Sequence, residues 1–323
     1  MHLQASGCSR PSIEENSSPS FLVSISAVPC SVTAYRLVSP NVTISVSYGG
    51  ASADLQSQTL TGLHDFGLFP AGMRLTSQLR EEHPDILQAP ILALQVVPVY
   101  WLGSFLPANS PPIKFTQTIL ARILRGDIRR WDDAALVAIN PFLSAAAVNI
   151  TVWGAGEGAF AHMLMDTVLR WACRADPLVA STLGCTAHTY APRNVPYAAL
   201  RLASDPARAV YDIVGVAGSL AFSTLIAAQQ TSGVSIGAIR TAAGVDLSAS
   251  VTATQLPLYE RGLQVDANGN ADLTTAQSPL AWPMTQLQQL QFSAQFTRVD
   301  CATKAELAKF LIVSSSILWE QGG

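Results

Sequence analysis

The stretch "VNITVWGAGEGAFAHMLMDTVL", residues 148–169, decides the class of this chain. Residues 148–153 read as a strand. Gly154, Gly156 and Gly158 then lead into Phe160, Met163, Leu164 and Val168, apolar residues at helical spacing. Strand, glycine loop and helix form the unit in which α/β proteins place ligands, beyond the carboxyl ends of strands. Glycines let a ligand approach the backbone, and the unpaired N–H groups of a helix N-terminus favour an anion. Glu157 lies inside that loop, where an anion would meet its carboxylate.

The same unit recurs upstream. "NVTISVSY" (41–48) alternates Val42, Ile44, Val46 and Tyr48 and runs through the loop Gly49, Gly50, Ala51 and Ser52 into the helical "ADLQSQTL". "FLVSISAV" (21–28) is a further strand, and "PCSVTAYRLV" a short helix opening on Pro29. "LALQVVPVYWL" reads as a long buried strand. In 115–140, Ile119, Leu120, Ile123 and Leu124 share one helical face capped by Gly126, and Pro141 ends the next helix. The class is α/β.

Composition narrows the function. Of 323 residues 49% are hydrophobic and 13% charged, against about 25% charged in ordinary globular chains. A net charge of −3 without a Lys/Arg run excludes a nucleic-acid footprint and an acidic membrane surface as partner. No segment holds the roughly 18–20 apolar residues of a membrane span. Residues 91–105 are broken by Gln95 and Pro98, and 213–228 read as a strand plus helix. His2, His64, His83, His162 and His188 show no ligand spacing with one another or with cysteine, so no metal is expected. Gly156-Glu157-Gly158 is not a nucleophile elbow, which needs a central serine, and no cofactor motif is present. The chain is read as non-enzymatic.

Three sequons, at Asn16, Asn41 and Asn149, and five cysteines point to the secretory pathway or cell surface. Cys173 can pair with Cys185, and Cys8 with Cys30, leaving Cys301; the other reading is five buried thiols in a reducing compartment. The polar leader, 1–20, is no signal peptide, so an export leader would lie outside the chain.

"ILARILRGDIRRWDDAALVAINP" (119–141) resembles the helix–Gly–Ile–x–x–Trp–Asp–Asp segment of the bacterial phosphate-binding proteins that feed ABC phosphate importers. "VTISVSYGGAS" (42–52), "HDFG" (64–67), "NITVWGAGEG" (149–158), "IVGVAGSLAF" (213–222), "AWPMT" (281–285) and "KAELAKFL" (304–311) are similar to further family blocks, in the family's order. The resemblance covers residues 21–312. It implies a two-lobed type II periplasmic-binding-protein fold with a double-strand hinge and a ligand clamped in the interlobe cleft. Lobe 1 would comprise 21–100 and 284–323, and lobe 2 residues 101–283. The family's last elements are then missing or lie in a larger parent protein.

The family's ligand set carries over poorly. Where the resemblance expects Gly-Ser-Gly-Thr, the chain has Gly156-Glu157-Gly158-Ala159, so one hydroxyl becomes an acid and the other a methyl. The family's Arg has no counterpart, its Asp falls on Pro70, and its Thr-Phe pair on Ala27 and Val28; only Ser52 stands as a retained hydroxyl. A buried dianion needs many donors and a positive partner. Glu157 is either a new specificity element for a cationic or hydroxylated ligand or an exposed loop acid. Arg193, Arg125, Arg129 and Arg130 either supply the missing charge or are surface arginines. Trp153 either stacks on a ligand or packs below the loop, and Trp131 and Trp282 are core or hinge residues. The expectation is a solute-binding or sensing domain with a ligand altered from phosphate. The alternatives are a degenerate scaffold for adhesion, assembly or protein–protein contact and, third, a genuine phosphate binder.

Overall fold

The computed structural model describes residues 20–25, 39, 41–47, 52–70, 75–107, 109–155, 159–175, 200–203, 209–261, 271–294 and 304–310. In chain order the elements are β1 (Ser20–Ile25), β2 (Thr43–Ser47), α1 (Ser52–Leu60), β3 (Phe66–Pro70), α2 (Ser77–Glu82), β4 (Ile86–Trp101), β5 (Lys114–Phe115), α3 (Gln117–Arg125) and α4 (Ala134–Ile139). Then follow β6 (Thr151–Ala155), α5 (Ala159–Ala172), β7 (Leu200–Ala203), α6 (Ala209–Asp212), β8 (Ser219–Thr224), α7 (Leu225–Gln230), β9 (Ser235–Ile236), β10 (Ala238–Arg240), β11 (Asp246–Leu247), α8 (Val251–Arg261) and β12 (Thr285–Ser293). The helix expected over Pro29–Val38 lies outside the described residues.

The chain divides into two compact units, 1–69 with 73–92 and 288–323, and 70–72 with 93–287. Strands β4 and β12 each run from one unit into the other, which is the double-strand connection of the fold. In the first unit the strand order is β2–β1–β3–β12–β4, with β1 parallel to both β2 and β3. Its core includes Phe66, Phe69, Leu75 and Leu307, and Phe66 stacks on Phe310 with centroids 5.2 Å apart. Amides also enter this core. Gln56 Nε2 of α1 donates to Gln291 Oε1 of β12 at 3.0 Å, and Gln291 Nε2 donates to Gln88 Oε1 of β4 at 3.0 Å.

In the second unit β4 pairs antiparallel with β8, β6 lies parallel to β8, and β7 parallel to β6. A small sheet, β11–β10–β5, stands apart. Helix α3 forms where the apolar spacing demands it. Thr116 Oγ1 accepts from the Ile119 N–H at 3.2 Å, Ile119, Leu120, Ile123 and Leu124 are buried, and Gly126 ends the helix at φ 86°.

The residues after Gly126 are structural in detail. The fully buried Trp131 donates from Nε1 to the Gly218 carbonyl at 2.9 Å and packs against Tyr100 and Phe115. Arg130 pairs with Asp132, and Asp133 caps α4 by accepting from the Ala135 N–H at 2.9 Å. Asn140, fully buried, accepts from the Lys114 N–H at 2.8 Å and donates to the Lys114 carbonyl at 2.9 Å, standing in for a neighbouring strand of β5. Trp282 is likewise fully buried and donates to the Val96 carbonyl at 2.7 Å, while the Met284 carbonyl accepts from the Val96 N–H. That joins the "AWPMT" block to β4.

One element is shorter than its sequence suggests. Strand β6 starts at Thr151, not Val148. Residues 148–150 bridge instead to the segment carrying Trp131: Trp131 N–H donates to Val148 O, and Ile150 N–H to Arg129 O.

Candidate functional site

Both glycine loops follow the carboxyl end of a strand with a parallel neighbour and precede a helix. In the first unit β2 is followed by 48–51, and Ser52 opens α1. In the second, β6 is followed by 156–158, and α5 opens at Ala159. Gly154 is buried within β6. Gly49, Gly50, Ala51, Gly156, Glu157 and Gly158 lie outside the described residues, as does Arg193.

The carboxyl edge of the second unit's strands can be read from register. Val97 pairs with Ser223 and Val96 with Thr224, while Ala221 pairs with Trp153. Side chains alternate along a strand, so Gln95, Val97, Ser223 and Trp153 share one sheet face. Thr224 is committed to capping α7, its hydroxyl accepting from the Ala227 N–H at 3.3 Å. The half-buried Trp153 donates from Nε1 to Ser219 Oγ at 2.9 Å, so its indole N–H is used in packing below the loop.

Gln95 was legible only as a break in an apolar run. It is 4% exposed, and neither its Nε2 nor its Oε1 has a hydrogen-bond partner. Leaving such a group unpaired costs about 1–3 kcal/mol. Gln286 Oε1, on β12, is buried in the same condition.

The arginines offered as replacement cations are engaged locally. Arg125 pairs with Asp127, Arg130 with Asp132, and Arg129 Nε donates to the Gly126 carbonyl at 2.7 Å. His64 is buried, and burial holds its pKa below the usual histidine value against the opposing pull of Asp65. Among the described residues no cluster of three or more His, Cys, Asp or Glu could hold a metal, and no helix is long and apolar enough to cross a membrane. Cys173 is disulfide-bonded; Cys8, Cys30, Cys185 and Cys301 lie outside the described residues. Asn41 and Asn149 are exposed, and Asn16 is outside the described residues.

No family model matches the chain. Over 115 residues it is 31% identical to the phosphate-binding protein PstS of Haemophilus influenzae, a match covering 36% of this chain and 31% of that protein. The chain therefore spans about a third of the length of that curated relative. Solved structures match far more of it. A phosphate-binding protein from Stenotrophomonas maltophilia superposes with a TM-score of 0.58 at 15% identity, covering 90% of this chain and 82% of its own. PfluDING, a high-affinity periplasmic phosphate-binding protein solved with phosphate, gives 0.60 at 12%, covering 90% and 84%. An ABC-type phosphate transport receptor from Vibrio cholerae gives 0.52 at 12%, covering 94% and 98%. At these identities the superpositions speak for the fold. The chain is thus similar to PstS and has the two-lobed type II periplasmic-binding-protein fold.

Proposed function

We propose that the chain is an exported, non-enzymatic solute-binding or sensing protein whose ligand differs from phosphate. The observation that carries this reading is the sequence between β6 and α5: ahead of a 14-residue helix, Glu157 occupies the position at which the resemblance expects a serine donor. At an effective dielectric of about 20, two unit charges 4 Å apart interact by about 4 kcal/mol, so a carboxylate beside a dianion opposes binding by several kcal/mol. None of the arginines at 125, 129 and 130 stands free to offset it, each being held in its own loop or helix end. A hydroxylated or cationic solute turns the same carboxylate into an acceptor. The disulfide at Cys173 suits an oxidising compartment, with Cys185 as the proposed partner.

The test is a thermal-shift series on the full chain with phosphate, sulfate, glucose and spermidine at about 1 mM. A ligand with Kd near 1 μM adds about 4 kcal/mol to stability. The expected result is a rise with glucose or spermidine that Glu157→Gln removes. A rise with phosphate would refute the altered-ligand reading. No rise with any probe would favour a scaffold that contacts proteins.

A further inference from the structure

Three glutamines form a continuous hydrogen-bond chain in the first unit, and they connect α1, β12 and β4. Gln56 lies one turn into α1, the helix that Ser52 opens. Its Nε2 donates to Gln291 Oε1 on β12 at 3.0 Å. Gln291 Nε2 donates to Gln88 Oε1 on β4 at 3.0 Å, and that oxygen also accepts the Leu75 N–H at 3.0 Å. Gln291 is fully buried and Gln56 is 9% exposed.

From this geometry we infer that Gln291 is a positioning residue, holding α1, the helix that follows the first glycine-rich segment in sequence, onto both β4 and β12. The physical case has three parts. Gln291 is central: its oxygen serves α1, its nitrogen serves β4, and its backbone belongs to β12. A carboxamide offers a donor and an acceptor at fixed separation, so it sets the orientation of two partners where an apolar side chain would only fill space. Finally, side chain–side chain bonds are about 10–15% of a protein's hydrogen bonds, so two in succession across 235 and 203 residues of chain are not incidental packing. Helix α1 itself has no apolar stripe to fix its rotation, since its sequence, SADLQSQTL, carries polar residues around most of its circumference. The hydrogen bond donated by the Gln56 carboxamide supplies what that stripe would.

The use made of this by a ligand rests on the solute-binding reading; the positioning does not, and the experiment separates them. Hydrogen exchange is followed on the full chain without ligand, for the wild type, Gln291→Met and Gln291→Glu. Met keeps the length and packing but neither hydrogen bond. Exchange in 52–60 should then rise about tenfold or more, with β1 and α3 changed less than about twofold. Glu at low pH is a protonated acid that still accepts from Gln56 and donates to Gln88; its burial raises its pKa. Protection of 52–60 in this variant should therefore stay near wild type at about pH 5 and fall by about pH 9, a step the wild type lacks. Unchanged protection in Gln291→Met, a uniform rise over the whole first unit, or no pH step in Gln291→Glu would each overturn the inference. If Gln291→Met does not fold, Gln56→Met is read by the same criteria. Failure of every probe in the thermal-shift series would remove the solute reading and leave these exchange results untouched.

Discussion

Replacing Gln95 by methionine should stabilise this protein, although the residue is buried in a strand. Methionine has nearly the shape of glutamine without its two polar groups. In the wild type both ends of the carboxamide are buried and unpaired, in a side chain only 4% exposed. Mutational data put the cost of an amide buried without compensation at about 1–3 kcal/mol. Removing both partners' obligations at constant shape is neutral to stabilising, so the expected gain is about 1–3 kcal/mol. For a unit of this size each kcal/mol moves the melting temperature by about 2–4 °C. The control is Gln291→Met, the same change at an amide whose two ends are both bonded. There the partners left behind on Gln56 and Gln88 lose their bonds, and the expected loss is about 1–3 kcal/mol. Urea unfolding of the three proteins, with circular dichroism and fluorescence followed together, reads both signs. A loss above about 1 kcal/mol in Gln95→Met would refute the reasoning, because it would mean that the carboxamide is satisfied by a group such as an internal water.

Two further predictions concern the backbone and the charged sheet edge. Gly218 and Gly244 both have positive φ, 85° and 79°, but a Cβ at Gly218 would lie 2.1 Å from the Asn149 carbonyl oxygen, whereas nothing lies within 4 Å of one at Gly244. Gly244→Ala should cost about 1–2 kcal/mol, the left-handed penalty alone, and Gly218→Ala clearly more, read as the difference in thermal midpoint. Asp246 receives two hydrogen bonds from Arg240 and one contact from Lys114 at 2.7 Å, and these hold its carboxyl well below the usual carboxylate range. A carboxyl depressed on folding contributes stability that is complete above its unfolded pKa near 4 and is lost as pH falls below it. Asp246→Asn should therefore flatten the acid limb of the melting temperature below about pH 4, modestly, since all three side chains are partly exposed.

Much of the frame was legible because its signals are local. The apolar face Ile119–Leu120–Ile123–Leu124 and Gly126 mark α3 within eight residues, and the structure uses each of them as read, adding the Thr116 cap. Trp131 and Trp282 were assigned to core or hinge by the blocks that contain them, and both are fully buried. The alternation in 41–48 and the glycines after it were enough to mark a strand and a loop. Where local reading failed, a distant partner had claimed the backbone. Residues 148–150 have strand-like composition, yet the Val148 carbonyl and the Ile150 N–H pair with Trp131 and Arg129, so β6 begins later.

Sequence alone marked this as an α/β chain with glycine-rich segments after two of its strands, and put Glu157 where the resemblance expects a serine. Only the tertiary structure decided which polar residues matter inside. Gln95, Gln291 and Asn140 look alike in one dimension: each is an amide amid apolar neighbours. In the fold Asn140 completes β5, Gln291 joins α1 to β4, and Gln95 finds no partner. The difference lies in contacts closed across as many as 235 residues, and a hydrogen bond depends on the position of both partners, which no pattern along one strand contains.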